Sequence, residues 1–173
     1  NAKGKTILVA DTNVQDFPSA QRLVEVSKSC VRVARLFGFD PKVAFLSHST
    51  FGNPISKNTK HVRDAIQALK KEKVDFDFDG EMQPDVALNP IYQEIYPFSK
   101  IVGNANILIM PALHSAAIST KLMKVFGGGK LIGPLLIGLG LPIEVAPLRA
   151  STSEILNLAS IASYSSDVID YSN

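Results

Sequence analysis

The stretch Phe76-Asp77-Phe78-Asp79-Gly80-Glu81-Met82-Gln83-Pro84 indicates how this chain folds. Its first four residues alternate between apolar and acidic side chains, as in a β-strand that is buried on one face. Pro84 then opens a helical stretch to Ile95, and a second proline, Pro90, predicts a kink or a break in it. Acidic and amide side chains at the exit of a strand lie where open α/β sheets bind ligands. The run therefore predicts a strand–helix unit and a candidate site.

The same alternation of strand and helix extends in both directions along the chain. We predict strands at Thr6–Ala10, Lys42–Ser47, Phe76–Asp79, Ile107–Pro111, Lys130–Gly138 and Pro142–Ala146, and helices at Ser19–Phe37, Asn58–Lys73, Pro84–Ile95, Ser115–Phe126 and Ser151–Ser165. Apolar residues three and four apart mark the inner faces of these helices, for example Ile118, Leu122 and Val125. Continuously apolar strands that alternate with helices predict an α/β fold, with a mostly parallel sheet flanked by helices on both faces.

Composition excludes several classes of protein. The net charge is only +2 and the chain has no block of Lys or Arg, so nothing indicates nucleic acid or an acidic membrane surface. No uncharged apolar run approaches the ~18 residues of a membrane span. The single cysteine, Cys30, cannot form an internal disulfide, which fits a reducing compartment, and we expect a cytoplasmic protein.

The start of the chain indicates a fragment of a longer protein. Asn1-Ala2 resembles the remnant of a tag, and a strand follows almost at once. We therefore interpret residues 1–4 as a tail and residues 5–173 as one domain, which is long enough to bury a core.

The loop after the second predicted strand is a candidate anion site. Hydroxyls of Ser47, Ser49 and Thr50, with free backbone N–H groups, could hold a phosphate between a strand and a helix. The alternative is an ordinary polar connection. No metal-ligand spacing occurs in the chain, and we expect no metal and no cofactor in it.

Two further groups of polar residues precede predicted helices. His114 and Ser115 follow a strand, with Lys121 in the same helix; the alternative for them is a loop histidine, a helix cap and a solvated lysine. Ser151-Thr152-Ser153-Glu154 has the pattern of a capping box. A carboxylate in the first turn of a helix, such as Glu154, is also favoured in its ionised form and could accept a proton.

In several of these motifs, the chain resembles the phosphate acetyl/butyryltransferase family. The similar runs are Val43–Thr50, Asp79–Gln83, Asp85–Pro90, Ile132–Leu135 and Glu154–Asn157. Within the family, Met110–Leu122 and Ile132–Leu139 are most similar to the carboxy-terminal domain of bacterial NADP-dependent malic enzymes. The resemblance implies a phosphotransacetylase lobe of the isocitrate/isopropylmalate dehydrogenase-like type, with the active site in a cleft between two lobes, the first of which this chain lacks.

The resemblance also implies roles for individual residues. Family members move an acetyl group between coenzyme A and phosphate, with a carboxylate that takes the thiol proton and a Ser–Arg pair at the acyl phosphate. The carboxylate matches Glu154, but the Ser–Arg pair falls on Pro147-Leu148, and Arg149 stands one residue later. Without an oxyanion donor and a phosphate cation, transfer should be negligible. We therefore expect a remnant phosphate or acetyl-CoA pocket formed by Ser47, Ser49, Thr50, His114, Ser115, Lys121, Glu154 and Arg149.

Three functions remain open on this basis. The first is a regulatory and oligomerisation domain that senses acetyl-CoA, in a malic enzyme whose NADP and Mg or Mn bind elsewhere. The second is a working phosphate acetyltransferase, with Glu154 as base and Arg149 and Lys121 as cations. The third is a purely structural homodimerisation module, with Tyr92, Ile95, Tyr96 and Phe98 near its contact surface or, alternatively, in the core.

Overall fold

The structure, a computed structural model, describes residues 5–11, 14–127, 131–139 and 141–168. Its elements in chain order are β1 Leu8–Ala10, α1 Ala20–Leu36, β2 Lys42–Leu46, α2 Lys60–Glu72, β3 Asp77–Met82, α3 Pro84–Leu88, β4 Ile107–Ile109, α4 Leu113–Phe126 and α5 Thr152–Val168, with 3-10 turns at Lys57–Thr59 and Pro90–Gln93. The four strands form one parallel sheet in the order β1-β4-β2-β3. The predicted α/β fold with a parallel sheet is confirmed.

Both faces of the sheet are covered because its central strands are apolar on both sides. Val43 and Phe45 of β2 face α1 and α2, whereas Ala44 and Leu46 face a second cluster that includes α3 and residues 101–105. Phe45 is completely buried. The first face is therefore covered by two long helices, and the second by one short helix and irregular chain.

The helices of the first layer follow the sequence pattern. Ser19 caps α1, and its side chain accepts a hydrogen bond from the backbone N–H of Arg22. The predicted inner face of α2 is buried, at Val62, Ala65, Ile66 and Leu69. The helix predicted at Asn58–Lys73 begins only at Lys60, because Ser56 caps a 3-10 turn that precedes it.

The predicted helix from Pro84 to Ile95 is split, as Pro90 indicated. α3 ends at Leu88, and a 3-10 turn over Pro90–Gln93 follows it. Asn89 caps this turn through its side chain, which accepts from the N–H of Ile91.

The last third of the chain departs most from expectation. The predicted strands Lys130–Gly138 and Pro142–Ala146 do not form in the described residues, which exclude Lys130. One isolated antiparallel bridge joins Leu135 to Glu144 there. The predicted cap at Ser115 was also wrong, because α4 already begins at Leu113. Ile118, Leu122 and Val125 were expected to face inward, yet all three are exposed, since no described part of the chain covers that side of α4. In the part of the chain that the structure describes, no helix is long and apolar enough to cross a bilayer.

Candidate functional site

The Asp79–Gln83 run lies at an irregular strand end. β3 continues to Met82, beyond the predicted end at Asp79, and its pairing with β2 shifts after Gly80, so that Phe45 pairs with Gly80 but Leu46 pairs with Met82. Gly80 has a φ of 141°, and a Cβ there would lie 2.6 Å from the carbonyl oxygen of Phe45. Glycine is thus required at this close approach. The extra residue, Glu81, lies in a β-bulge, a feature common beside functional sites.

Glu81 is a buried carboxylate, with only 1% of its surface exposed. Its Oε1 accepts hydrogen bonds from Ser49 Oγ at 2.7 Å and from Arg63 Nη1 at 3.2 Å. The same guanidinium donates to the carbonyl of Ser56 at 2.8 Å and to the hydroxyl of Thr59. No described residue donates to Oε2, which is also buried. A buried charge needs a partner, and Arg63 supplies it from α2.

The hydroxyl groups of the predicted anion loop are engaged inside the protein. A carboxylate paired with Arg63 only accepts, so Ser49 donates to Glu81, and Ser47 Oγ must then donate to Ser49 Oγ across 3.2 Å. Thr50 Oγ1 accepts from the N–H of Gln83 at 3.2 Å. All three loop residues are buried. A phosphate at this loop would therefore have to replace internal hydrogen bonds.

The acidic and amide side chains of the opening run do not all converge. Glu81 and Gln83 both reach the loop, and Gln83 Nε2 donates to the carbonyl of His48 at 2.7 Å. Asp79 instead accepts from the N–H of Gly80, and Asp85 accepts from the hydroxyl of Tyr92 at 3.0 Å. This hydrogen bond from the phenol to Asp85 raises the pKa of Tyr92.

The residues predicted at the start of α4 lie on a separate element. His114 and Lys121 are exposed, whereas Ser115 is partly buried. Ser115 Oγ donates to the carbonyl of Ala112 at 2.7 Å, which is a local bond within the first turn. Of the simpler interpretation, the solvated lysine agrees with the structure, whereas His114 lies inside α4 rather than in a loop and Ser115 is not the helix cap.

Glu154 forms the predicted capping box at the start of α5. Its Oε2 accepts from the N–H of Ser151 at 2.7 Å and from Ser151 Oγ at 2.9 Å, and Ser151 Oγ accepts from the N–H of Glu154 at 3.3 Å. Lys124 of α4 places its Nζ 4.0 Å from Glu154 Oε1. The prediction of a capping box is confirmed, and one carboxylate oxygen is fully used by the cap.

A small depression lies beside this carboxylate, with room for about one water molecule. Its lining consists of Ile132, Gly133, Pro147, Glu154, Asn157 and Leu158. Of these, only Glu154 and Asn157 have polar side chains, and the Asn157 Nδ2 is buried without a hydrogen-bond acceptor among the described residues. Leu148 and Arg149 are exposed. The depression thus joins Glu154 with Pro147.

The structure brings the predicted residues together in groups rather than in one pocket. Ser47, Ser49 and Thr50 meet Glu81 at the ends of β2 and β3, whereas Glu154 meets Pro147 at the start of α5. Within the described residues, no three His, Cys, Asp or Glu side chains come together to hold a metal.

Sequence reasoning did not select three of the polar residues in these groups: Arg63, Lys124 and Asn157. A charged residue directly beside the apolar stripe of an amphipathic helix, like Arg63 beside Val62, was the available signal.

Known proteins are similar to this chain in sequence and in fold. The family model for phosphate acetyl/butaryl transferase matches residues 1–163. An NADP-dependent malic enzyme of Rhizobium meliloti (strain 1021) is 46% identical over 94% of this chain, and a phosphate acetyltransferase of Bacillus subtilis (strain 168) is 33% identical over 88% of it. A phosphotransacetylase structure from Streptococcus pyogenes superposes on 96% of this chain with a TM-score of 0.89 and 32% identity.

The matches cover these proteins only in part. The chain spans 21% of the malic enzyme, 47% of the phosphate acetyltransferase and 51% of the Streptococcus pyogenes chain. The match to the family model nonetheless extends over nearly the whole of this sequence, and the fold agrees with it. This chain belongs to the phosphate acetyl/butaryl transferase family.

Proposed function

We propose that this chain is the phosphotransacetylase-like regulatory and oligomerisation domain of a cytoplasmic NADP-dependent malic enzyme. In this proposal the longer protein oxidises and decarboxylates malate to pyruvate with NADP and Mg or Mn, whose sites lie outside this chain. The domain senses acetyl-CoA and does not transfer acetyl groups itself. The 46% identity to a malic enzyme, against 33% to a phosphate acetyltransferase, supports this choice.

The residues that line the depression beside Glu154 are the main support for the proposal. Acetyl transfer to phosphate requires a donor for the developing oxyanion and a cation for the phosphate. The described residues that line the depression include neither a cation nor a hydroxyl, because Pro147 forms part of the wall and Leu148 is exposed. Lys124 and the Ser151 hydroxyl contact Glu154 but are not among the lining residues. Loss of one oxyanion donor lowers a rate ~100-fold or more. Glu154 could accept a proton, but a carboxylate cannot itself supply the oxyanion donor or the phosphate cation.

Acetyl-CoA binding would depend on the charges around this depression. Lys121, Lys124 and Arg149 are exposed cations on or near α4 and α5, and they would attract the phosphates of coenzyme A. His114 and Ser115 would contribute from the start of α4. Ser47, Ser49 and Thr50 would contribute only by exchanging their internal hydrogen bonds, so we expect weak binding by this chain alone.

Three measurements on the full-length protein test the proposal. Calorimetric titration should detect acetyl-CoA binding, and malate oxidation should change as the binding sites fill. An assay for acetyl phosphate, supplied with acetyl-CoA and phosphate, should detect no product. Accumulation of acetyl phosphate would overturn the inactive role, and absence of acetyl-CoA binding would overturn the sensory role.

An active phosphate acetyltransferase is the second candidate, favoured by the Streptococcus pyogenes phosphotransacetylase fold. Glu154 would then be the base, with Arg149 and Lys121 as phosphate cations. The double substitution Pro147→Ser with Leu148→Arg separates the candidates. It should change nothing in a working enzyme, whereas it could create activity in an inactive one. In a working enzyme, Arg149→Ala should abolish product formation.

A homodimer is the third element of the proposal. Ile91, Ile95 and Phe98 are exposed, and the Phe98 ring contacts the Phe51 ring with centroids 4.9 Å apart. Tyr92 and Tyr96 instead pack partly against the second core cluster. Light scattering should detect a dimer that Phe98→Asp converts to a monomer; a wild-type monomer at high concentration would remove the idea.

A further inference from the structure

Ser47 and Ser49 form a chain of hydrogen bonds that ends on the Glu81 carboxylate. Ser47 Oγ lies 3.2 Å from Ser49 Oγ, and Ser49 Oγ donates to Glu81 Oε1 at 2.7 Å. At the other end of the chain, the backbone N–H of Ser49 donates to Ser47 Oγ at 3.3 Å. All three residues are buried, so water competes little for these bonds.

The carboxylate sets the direction in which the hydroxyl protons of this chain point. Paired with Arg63, Glu81 only accepts, so Ser49 donates its one hydroxyl proton to Glu81. Ser47 must then supply the proton of the bond between the two serines. Each serine oxygen accepts one bond in return and keeps one lone pair. The two serines therefore offer acceptors, and no proton, to a group outside the chain.

Arg63 and the β-bulge hold the carboxylate in this position. The bulge places Glu81 between the paired residues of β3, and only 1% of the Glu81 surface is exposed. The Arg63 guanidinium donates to Glu81, to the carbonyl of Ser56 and to the hydroxyl of Thr59. Because these bonds join three parts of the chain, the acceptor at the end of the serine chain is fixed in place.

The two serines differ in their access to a ligand. Ser47 follows β2 directly, at the sheet edge where open α/β sheets bind ligands, and 7% of its surface is exposed. Ser49 is completely buried. A ligand at this edge therefore meets Ser47, whereas Ser49 and Glu81 influence that ligand only through Ser47. Phosphate oxygens require hydrogen-bond donors, and Ser47 is not one while Ser49 accepts its proton.

We propose that Glu81 determines the ligand preference of this loop, because it draws the protons of Ser49 and Ser47 inward and withholds the Ser47 hydroxyl from a phosphate group. Ser49 and Glu81 are positioning residues, since they act through Ser47. The inference rests on the proposed function in one respect, namely that a phosphate of acetyl-CoA approaches this loop. It gives a physical cause for weak binding there: the hydroxyl protons are committed to an internal carboxylate.

Removal of the Ser49 hydroxyl tests the chain, because it leaves Ser47 without its internal acceptor. Calorimetric titration with inorganic phosphate measures the affinity of the full-length protein, with NADP present to fill phosphate sites outside this chain. Ser49→Ala should strengthen phosphate binding about 10-fold, since a hydrogen bond to a charged group changes an equilibrium by that order. A serine that bound phosphate directly would give the opposite sign when replaced.

Ser47→Ala is the matched substitution, and its effect should depend on the background. In the unsubstituted protein it should change phosphate affinity by less than ~2-fold, because the Ser47 proton is already engaged. In the Ser49→Ala protein it should remove the whole gain. A merely structural role of the serines would give the same effect of Ser47→Ala in both backgrounds. Melting temperatures of all variants confirm that each protein is folded.

Glu81→Gln tests the carboxylate itself while keeping the shape of the side chain. A neutral amide oxygen holds the Ser49 proton about half as strongly as a carboxylate does, so phosphate binding should strengthen, but less than in Ser49→Ala. Asp79→Asn is the control, because it removes the same charge from β3 at a carboxylate that accepts from the N–H of Gly80 instead. It should leave phosphate affinity unchanged. Equal gains from both substitutions would assign the effect to charge alone and overturn the proposal.

Three further results would overturn the inference. They are weaker phosphate binding by Ser49→Ala, a tenfold loss from Ser47→Ala in the unsubstituted protein, and no phosphate binding by any of the variants. Titration of the unsubstituted protein with acetyl-CoA decides the proposed sensory role separately, because it does not depend on which serine donates. Failure of this inference and failure of the proposed function are therefore distinguishable.

Discussion

Helices α2 and α4 both contain apolar residues spaced by three and four, but these residues lie in opposite environments. α2 buries Val62, Ile66 and Leu69 beneath the sheet, whereas α4 exposes Ile118, Leu122 and Val125. Local sequence therefore creates the apolar stripe of each helix, but only a facing layer turns that stripe into stability. The sheet and its first helical layer are a complete core, and the last third of the chain is an incomplete one.

The largest expected difference between the two regions is the loss of stability when an aromatic ring is removed from each. Phe45→Ala should cost about 3–5 kcal/mol of the free energy of unfolding, since the completely buried ring leaves a cavity. Phe126→Ala, at an 81% exposed position, should change it by no more than ~0.5 kcal/mol. Urea unfolding measures both; equal costs would mean that the exposed face already packs in the isolated chain.

The ion pairs provide a second contrast. Glu81→Ala leaves Arg63 and Ser49 without their acceptor in a buried setting, and we expect a loss of about 2–3 kcal/mol, less than for a fully buried pair because Arg63 is partly exposed. Asp64→Ala removes the exposed pair with Lys60 and should cost at most ~0.5 kcal/mol. In a double-mutant cycle, adding Arg63→Met to Glu81→Ala should restore most of the stability that Glu81→Ala removes. Additive losses from the two substitutions would contradict the pairing.

Helix caps sharpen the comparison further. Ser19→Ala and Ser151→Ala each remove a capping hydroxyl, worth about 1 kcal/mol to its helix. Because α1 is packed on the sheet, Ser19→Ala should lower the global unfolding free energy by that amount. Ser151→Ala should instead fray α5, seen as faster amide exchange in residues 152–158, with little change in the global value. A full global loss for Ser151→Ala would show that α5 unfolds together with the sheet.

The smallest effect concerns the one cysteine. Burial raises the pKa of Cys30 to about 12, so the thiol stays protonated and should not react with iodoacetamide at pH 8 until urea unfolds the chain. The raised pKa of Cys30 therefore makes the folded state less stable as the pH rises above 9. Below pH 9 the neutral thiol contributes fully to stability, and the contribution is lost as pH rises towards 12, because the unfolded thiol ionises first. Cys30→Ser should remove this part of the alkaline decline; rapid alkylation of the native chain would contradict the burial.

The candidate site was only partly predictable. The capping box at Ser151 and Glu154 follows from spacing within four residues, and hydrogen bonds confirm it. The bulge at Glu81 was not predicted, because it depends on how β2 and β3 pair. Arg63 was missed for a related reason: its contact with Glu81 joins residues 18 positions apart on different elements.

The sequence by itself determined the α/β class, the inner face of α2 and the break at Pro90, because each depends on periodicity or backbone chemistry of neighbouring residues. Only the tertiary structure decided the order of the strands, the inward direction of the Ser47 and Ser49 hydroxyls and the exposure of α4. These features depend on which surfaces of the folded chain come into contact. An apolar pattern predicts that a surface is covered, but it does not identify the element that covers it.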